Sequence, residues 1–302
     1  MKKVIVAGKF NVDTFYYIDK ISLNDNNVSK EVIVDLGGKA GNVSIALKRL
    51  GVEVVVTGCV GDDLEGAFIK KTLSDEGIDV SHLKTCEGST GRTTIVVTKD
   101  GENTMFNYPG ANGKFTPELI DWTLVEEGEV LFIQFGIPAD SIFELSSMAK
   151  RAGMMVYADT SFPSEIPWDA FSYIDYMSPN ERELLQISGK KDVEKAVKSL
   201  FRRGIEVLLV KMGEKGVKIF EGKNTYEVPA IQAKVVDTTG AGDAFNAGFI
   251  YGRLKGLSDE ESAKLGVVLS SIVVERKGSS SAMPKLDEVK SRLKELGMCI
   301  RI

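Results

Sequence analysis

The sequence predicts an α/β protein in which a doubly wound, mostly parallel sheet carries a small β-sheet lid. Apolar runs typical of buried strands alternate with helical patterns over most of the 302 residues, and this alternation is typical of a parallel sheet. It is interrupted twice by short strand patterns and polar turns, and neither two-stranded piece would be stable alone. We therefore predict one α/β domain formed by residues 1–11, 37–87 and 111–302, and a lid formed by residues 12–36 and 88–110.

The apolar patterns place the elements in order along the chain. Strands are predicted at residues 4–7, 15–19, 31–34, 52–56, 93–98, 102–107, 130–133, 155–158, 176–177 and 207–211. Helices are predicted after the glycine-rich turn at 37–42 and at residues 65–75, 141–151, 181–187, 193–203 and 241–254. The turn Lys99-Asp100-Gly101 joins the two strands of the second lid segment as a hairpin.

Composition narrows the class of ligand. Hydrophobic residues make up 43% and charged residues 27% of the chain, and the net charge is −5 without a basic block, so neither a nucleic-acid nor a membrane surface is predicted. A small-molecule substrate fits better. Cys59, Cys86 and Cys299 lack metal spacing and are odd in number, which favours the cytoplasm over a disulfide-forming compartment. His82 is the only histidine and would have to serve any Ser-His-Asp triad.

The stretch 235–248 combines a strand end, a tight turn and the start of a helix. Its first two residues, both valine, close an apolar strand, and the helix begins at Ala241. Glycine allows the turn, and a helix start leaves N–H groups unpaired, so Gly240, Ala241 and Gly242 predict an anion-binding site. Asp243 has two interpretations: an acid that caps the first turn, or a base that takes a proton from an attacking hydroxyl.

Two other turns after predicted strands also allow two interpretations each. Asn180 and Glu183 have the spacing of a capping box, but beside an anion site Glu183 would also suit a magnesium ion held through water. Gly213 and Gly216 follow the strand that ends at Lys211. These glycines allow either a hairpin turn or the close approach of a nucleotide.

Neither of two widespread nucleotide-binding motifs fits the chain. Between Gly216 and Gly222 there are five residues where the Walker loop has four, and Asn224 replaces its Ser/Thr. Phe245 stands at the third glycine of the dinucleotide fingerprint, with Asp243 where the pyrophosphate would lie. A nicotinamide enzyme is therefore disfavoured.

The chain resembles the ribokinase family of carbohydrate kinases over nearly its full length. The stretches that carry the resemblance are Asn11-Val12-Asp13, Gly37-Gly38-Lys39-Ala40-Gly41-Asn42, Gly58-Cys59-Val60-Gly61-Asp62-Asp63, Pro109-Gly110-Ala111-Asn112, Asn180 to Glu183 and Asp237 to Asp243. The resemblance implies a ribokinase-like fold with a β lid, ATP with Mg²⁺ as phosphoryl donor, and transfer to a sugar hydroxymethyl group. It also implies that Asp243 is the general base and that the N–H groups of Gly240, Ala241 and Gly242 stabilise the developing charge.

The resemblance implies further roles residue by residue. The implied sugar-binding residues are Asn11, Asp13, Gly38, Lys39 and Asn42. The implied nucleotide- and phosphate-binding residues are Asn180, Glu183, Lys211, Gly213 and Gly216, with Glu183 holding magnesium through water. A monovalent cation, K⁺ as an activator, would be held by Asp237, the carbonyl of Thr239 and carbonyls near Val273, Arg276 and Gly278.

The chain departs from the family pattern at several positions. The small hydroxyl residue that closes the family's cation loop falls at Ala282, with Ser281 one place away. Ribokinases often carry a sugar-contacting glutamate just after a strand, where this chain has Gly136. Lys9 stands at a position that is generally small or uncharged.

These departures leave the acceptor open. If Lys9, Lys39 and Arg92 lie around one cleft, they favour an acceptor with a phosphate or another anion; otherwise Lys9 and Arg92 are solvated strand-end residues. We predict that a ribose with a base or a phosphate at its anomeric carbon is a better acceptor than ribose. The alternatives are a nucleoside kinase, a kinase of fructose or 2-keto-3-deoxygluconate, and a non-catalytic sugar or nucleotide sensor.

The lid also predicts self-association. Its strands leave edges and an apolar face, assigned to Phe15, Tyr17 and Ile33, that a second copy would cover. We therefore predict a homodimer formed through the lid.

Overall fold

The computed structural model describes residues 3–100, 102–126, 128–161 and 165–302. Its strands are β1 (Lys3–Ala7), β2 (Asn11–Ile18), β3 (Glu31–Gly37), β4 (Glu53–Gly61), β5 (Leu83–Cys86), β6 (Gly91–Thr98), β7 (Asn103–Tyr108), β8 (Val130–Gln134), β9 (Met155–Asp159), β10 (Tyr176–Ser178), β11 (Val207–Lys211), β12 (Val217–Glu221) and β13 (Asn224–Val228). Its α-helices are α1 (Lys39–Arg49), α2 (Leu64–Asp75), α3 (Ala139–Arg151), α4 (Glu181–Ser188), α5 (Val193–Phe201), α6 (Ala241–Leu254), α7 (Asp259–Val273) and α8 (Leu286–Glu295).

The strands form two sheets. The larger has nine strands in the order β13-β12-β11-β10-β9-β8-β1-β4-β5, and the smaller has four in the order β3-β2-β6-β7. Neighbours in the larger sheet are parallel from β11 to β5, and β12 and β13 add antiparallel strands at one edge. The predicted fold class, a doubly wound and mostly parallel α/β sheet with a small β-sheet, is confirmed.

The order of the larger sheet reverses at β1. This strand pairs with β4 on one side and with β8 on the other, and both pairings are parallel. In open α/β sheets ligands bind beyond the carboxyl ends of the strands at such a reversal. Lys9 follows β1 and Gly136 follows β8, so both residues lie at this switch point.

The two faces of the small sheet differ, because successive residues of a strand point to opposite sides. Asp13, Phe15 and Tyr17 share the inner face, and Phe15 is fully buried against the neighbouring strand residue Ile95. The outer face carries exposed apolar side chains, namely Tyr16, Val32, Val34, Phe106 and Tyr108. The apolar face that the sequence assigned to Phe15, Tyr17 and Ile33 is therefore the covered one, and the exposed apolar face is the opposite side.

Helices α6 and α7 pack closely because glycines line their contact. A Cβ on Gly248 would lie 2.7 Å from the Cα of Gly266, and one on Gly252 would lie 2.7 Å from the Oγ of Ser262. Nearly all residues of α6 are buried. This packing fixes the start of α6 at the edge of the sheet, where the predicted anion-binding turn precedes it.

One predicted strand is absent from the described residues, and one predicted turn residue lies outside them. Residues 229–240 form no strand, contrary to the prediction that Val235 and Val236 close one. The N–H groups of Val236 and Asp237 instead donate to the carbonyl of Val274, just after α7, so a helix end rather than a sheet holds this run. The predicted turn residue Gly101 lies outside the described residues, but β6 and β7 on either side of it pair antiparallel as predicted.

No helix in the described ranges is both long enough and apolar enough to span a bilayer.

Candidate active site

A cleft of about 1530 Å³ opens at the carboxyl ends of the parallel strands, with the small sheet as one wall. It brings together most of the predicted site residues: Asn11, Asp13, Gly38, Lys39, Asn42, Asn180, Glu183, Lys211, Gly213, Gly216, Thr239, Gly240, Ala241, Gly242 and Asp243. The predicted residues that do not line it are Arg92, Asp237, Val273, Arg276 and Gly278.

The turn before α6 presents backbone N–H groups to this cleft. Gly240 precedes the helix with a φ of 79°, a left-handed conformation that favours glycine. The N–H of Ala241 donates to the carbonyl of Thr238 at 3.3 Å. The N–H groups of Gly242 and Asp243 belong to the first helical turn, which offers them no carbonyl acceptor. The helix start can therefore receive an anion from the cleft.

The Asp243 carboxylate is buried and is engaged by another helix. Asn42 of α1 donates from Nδ2 to Oδ2 of Asp243 at 2.7 Å, and the Nζ of Lys39 lies 3.9 Å from Oδ1. Burial raises the pKa of Asp243 to about 6, an effect that the Lys39 ammonium opposes and the Asp159 carboxylate reinforces. A carboxyl group with this pKa is ionised at neutral pH and can accept a proton.

Asp159, at the end of β9, is a central residue that the sequence analysis missed. It is fully buried, and its two oxygens lie 2.9 Å from the Nζ of Lys39 and 2.9 Å from the Nζ of Lys211. Asn246 of α6 donates to it at 2.6 Å. Burial alone would raise the pKa of Asp159, but the Lys211 and Lys39 ammoniums hold it below its usual range. Asp159 thus fixes two cations beside Asp243.

Among the described residues, one carboxylate oxygen and one amide oxygen that are buried in the cleft have no hydrogen-bond partner. These are the Oδ1 of Asp13, on the inner face of β2, and the Oδ1 of Asn42. Burial raises the pKa of Asp13 to about 7, while hydrogen bonds with Thr93 and Ser279 oppose the rise. Unpaired buried acceptors are costly unless a ligand supplies donors, and sugar hydroxyls are suitable donors.

Asn11 is engaged in a network within the protein. Its Nδ2 donates to the Oγ1 of Thr93 at 3.1 Å, and its Oδ1 accepts from Asn112 at 2.9 Å. The Oδ1 of Asn112 accepts in turn from the N–H of Phe10. Asn11 lines the cleft, but this network shows that it also holds the small sheet on the α/β domain.

Asn180 and Glu183 form the capping box that their spacing predicted. The N–H of Glu183 donates to Asn180 Oδ1 at 2.8 Å, and the N–H of Asn180 donates to Glu183 Oε2 at 2.9 Å. Thr160 also donates to this Oε2, at 3.0 Å. Both residues nevertheless line the cleft, so the cap and a role towards phosphate are compatible.

The residues from Gly213 to Gly216 form the connection between β11 and β12, which pair antiparallel. The hairpin interpretation is therefore correct. A Cβ on Gly216 would lie 2.1 Å from the carbonyl oxygen of Val228, so only glycine fits there. Because both glycines also line the cleft, the hairpin turn forms part of its wall.

Asp237 lies behind the turn, in surroundings that suit a cation. It is buried, and its carboxylate accepts from the N–H of Thr239 at 2.9 Å and from the hydroxyl of Tyr17 at 3.2 Å. No lysine or arginine of the described residues lies within ion-pair distance of it, and the Oγ1 of Thr239 is buried without a partner. A buried carboxylate with only neutral donors is favoured by a bound cation.

The family model described as "pfkB family carbohydrate kinase" matches residues 1–286. The chain belongs to the pfkB family of carbohydrate kinases. The predicted resemblance, and with it the prediction of an enzyme that phosphorylates sugars, is confirmed.

Relatives of this pfkB chain include proteins named ribokinase. A ribokinase of Lactococcus lactis is 30% identical, with 98% of each chain covered. The crystal structure of a Thermotoga maritima ribokinase is 31% identical, covers 97% of this chain and 100% of that chain, and has a TM-score of 0.87. The structure of Arabidopsis thaliana ribokinase complexed with ribose and ATP is 28% identical, covers 97% and 98%, and also has a TM-score of 0.87.

Arg92 of this pfkB chain lies outside the cleft, so the three cations do not converge, and of the two interpretations the solvated strand residue holds for Arg92. Its neighbour Thr93 faces the cleft, and Arg92 therefore points to the outer face of β6. Its guanidinium pairs with Glu65 of α2 and lies 3.8 Å from Asp63. Those carboxylates satisfy its charge outside the site.

In the loop after α7, neither Ser281 nor Ala282 has a hydroxyl that is free to bind the predicted monovalent cation. Ala282 has none, and the hydroxyl of Ser281 donates to Asp35 of β3 at 2.7 Å. The residues whose carbonyls were predicted to bind the cation do lie near this loop: Val273 ends α7, and Arg276 and Gly278 follow it. Backbone carbonyls would therefore have to complete a cation site.

Proposed function

We propose that this carbohydrate kinase transfers the γ-phosphate of ATP to the hydroxymethyl group of a small sugar, namely ribose or a ribose derivative. The observation that carries the proposal is the buried carboxylate of Asp243, which Asn42 holds beside a helix start that can receive an anion. The relatives named ribokinase, one of them complexed with ribose and ATP, support the choice of donor and acceptor.

Asp243 acts as the general base in this mechanism. It takes the proton of the acceptor hydroxyl while that oxygen forms a bond to the γ-phosphorus and the bond to the leaving ADP breaks. The N–H groups at the start of α6, with Lys211 beside Gly242, stabilise the charge on the transferred group. The capping interpretation of Asp243 is less suitable, because its carboxylate binds Asn42 rather than the backbone of α6.

The rate should fall in acid because the base works only when ionised. Burial raises the pKa of Asp243 to about 6 and that of Asp13 to about 7, so protonation of either group is complete only below these values. We expect kcat/KM for the acceptor to decrease as the pH falls from about 8 to about 5. In the Asp13→Asn variant, the pH–rate profile should still fall with a pKa near 6, because Asp243 is unchanged. A wild-type profile that is flat over this pH range would contradict the role of Asp243 as general base.

The acceptor binds between α1 and the small sheet in this proposal. The unpaired oxygens of Asp13 and Asn42 would accept hydrogen bonds from a sugar diol, with Gly38 and Lys39 at the start of α1 beside them. Thr93, Ile95 and Asn107 of the small sheet also line the cleft. The small sheet would act as a lid that excludes water during transfer.

ATP would occupy the other end of the cleft. Asn180, Glu183 and Lys211 would face its phosphates, and Gly213 and Gly216 would border the nucleotide. Apolar residues of the same cleft, including Val217, Ile231 and Val267, form a surface suited to a base. Glu183 would hold Mg²⁺ through water, and the ion would neutralise phosphate charge.

The activity can be tested by ADP release from MgATP with a panel of acceptors: ribose, nucleosides, ribose 1-phosphate, fructose and 2-keto-3-deoxygluconate. Release with a sugar supports the proposal, and the highest kcat/KM identifies the acceptor. A nucleoside in first place would instead indicate a nucleoside kinase. Binding without ADP release for every acceptor would indicate a sensor.

Potassium should raise the rate several-fold. A cation beside Asp237 and the Thr239 carbonyl would tighten the turn that presents the N–H groups of Gly242 and Asp243. We expect higher kcat in K⁺ than in tetramethylammonium at matched ionic strength, and loss of this difference in Asp237→Asn. Equal rates in both salts would rule out the activating site.

The protein should dimerise through the outer face of the small sheet. Phe106 is 65% exposed there, and an apolar surface of this kind is suited to a second copy. Light scattering at micromolar protein should give a dimer for the wild type and a monomer for Phe106→Lys. Phe68→Lys is a control on α2, outside the small sheet, and should remain dimeric. A monomeric wild type would contradict the proposed dimer. The cytoplasm, inferred from the cysteines, stays a prediction.

A further inference from the structure

The Lys9 side chain lies across Gly136 at the switch point of the sheet. An ideal Cβ on Gly136 would lie 3.0 Å from the Nζ of Lys9 and 3.1 Å from its Cε. Gly136 also has a φ of 106°, a conformation that favours glycine. The end of the lysine therefore occupies the space into which a side chain at position 136 would project, and it places an ammonium group in the wall of the cleft.

Within the described residues, the Lys9 ammonium has no carboxylate at ion-pair distance, and Asp159 and Asp13 act on it only from farther away. Lys39 binds Asp159, and Arg92 pairs with Glu65 outside the cleft. Of these three predicted cations, only Lys9 both lines the cleft and lacks a carboxylate within ion-pair distance among the described residues. Of these three residues, Lys9 is therefore the one whose charge is available to a ligand in the cleft.

The surroundings of Lys9 make an unpaired ammonium costly. Burial lowers the pKa of Lys9 and the Lys39 ammonium lowers it further, while Asp159 and Asp13 act in the opposite direction. The backbone is held in place, because the N–H of Lys9 donates to the Oε1 of Gln134 at 2.9 Å. A ligand anion at this point would offset the desolvation of the ammonium.

We propose that Lys9, whose ammonium end lies in the space beside Gly136 and lines the cleft, forms a subsite for an anionic group, a phosphate or a carboxylate, on the acceptor sugar. The inference rests on the proposed kinase function and narrows its substrate class. The anionic group is carried on a different atom from the hydroxyl that approaches Asp243. A charge-assisted hydrogen bond from the ammonium is stronger than one from a neutral donor. The Lys9 ammonium would therefore favour acceptor sugars that carry an anionic group over neutral ones.

The test compares charged and neutral acceptors in the full-length enzyme. Lys9→Met removes the charge and keeps a stem of similar length, and Lys223→Met removes an exposed lysine in the turn between β12 and β13. Ribose 1-phosphate and 2-keto-3-deoxygluconate separate a phosphate from a carboxylate. In Lys9→Met, the ratio of kcat/KM for the better charged acceptor to that for ribose should fall about 10- to 100-fold, mainly through acceptor KM. The KM for ATP should stay unchanged, and Lys223→Met should keep the wild-type ratio.

Two results would overturn the subsite: a wild-type enzyme that prefers ribose to both charged acceptors, or a ratio that Lys9→Met leaves unchanged. If no acceptor releases ADP, the proposed function is wrong, and calorimetric titration with the two charged acceptors then decides the subsite separately. Binding that the Lys9→Met substitution weakens supports it, and binding that is absent or independent of Lys9 overturns it.

Discussion

The Asp243→Asn variant should fold and bind MgATP, yet turn over about 10²- to 10⁴-fold more slowly than the wild-type enzyme. Asparagine is nearly isosteric and its amide oxygen can still accept from Asn42, but it cannot take the acceptor proton. Because burial raises the pKa of Asp243 to about 6, the folded protein carries an unfavourable charge there at neutral pH. Removing that charge should leave the variant at least as stable as the wild type.

The measurements are kcat from ADP release, MgATP affinity by titration, and the thermal midpoint of unfolding. Asp192→Asn is a matched control, since Asp192 is an exposed acid that caps α5 by accepting from the N–H of Lys195. It should leave kcat unchanged. Near-normal turnover in Asp243→Asn would reduce Asp243 to an acid that merely favours the helix start, and the proposed mechanism would then be wrong.

Local patterns were sufficient for the turn and helix that carry Asp243. The glycines of residues 240–242 and the apolar face that follows them determine a left-handed turn and a helix start within a few residues, and α6 begins at the predicted residue. Strand β11 also has its predicted bounds of 207–211. Such elements depend on neighbours in the sequence, so a single sequence contains the information.

Tertiary contacts explain what the sequence did not predict. Alternation along β6 places Arg92 and Thr93 on opposite faces, but it does not say which face is turned to the cleft. The valines at 235 and 236 look like a strand, yet their segment binds the end of α7. Asp159 is one acid at the end of an apolar strand, and its partners Lys211 and Asn246 are 52 and 87 residues away along the chain.

The Asp159→Asn variant should lose both stability and activity. The free energy of unfolding should fall by roughly 3–5 kcal/mol, because Lys39 and Lys211 would face each other without the buried carboxylate between them. The pKa of Asp159 is held below its unfolded value of about 3.9. Its contribution is therefore fully present above about pH 5 and is lost only as the pH falls through the lower folded value. Displacement of Lys39, which lies 3.9 Å from Asp243, should also lower kcat by about 10²-fold.

Urea unfolding near neutral pH measures the loss in the free energy of unfolding. Asp75→Asn is the control, because the ion pair of Asp75 with Lys71 lies on the surface and should contribute little to stability. A double variant tests the cause. If repulsion between ammonium groups destabilises Asp159→Asn, then Asp159→Asn with Lys39→Met should be more stable than Asp159→Asn alone. A double variant of equal or lower stability would mean that the hydrogen bonds from Asn246 and the N–H of Ser161, rather than the charge of Asp159, hold this centre together.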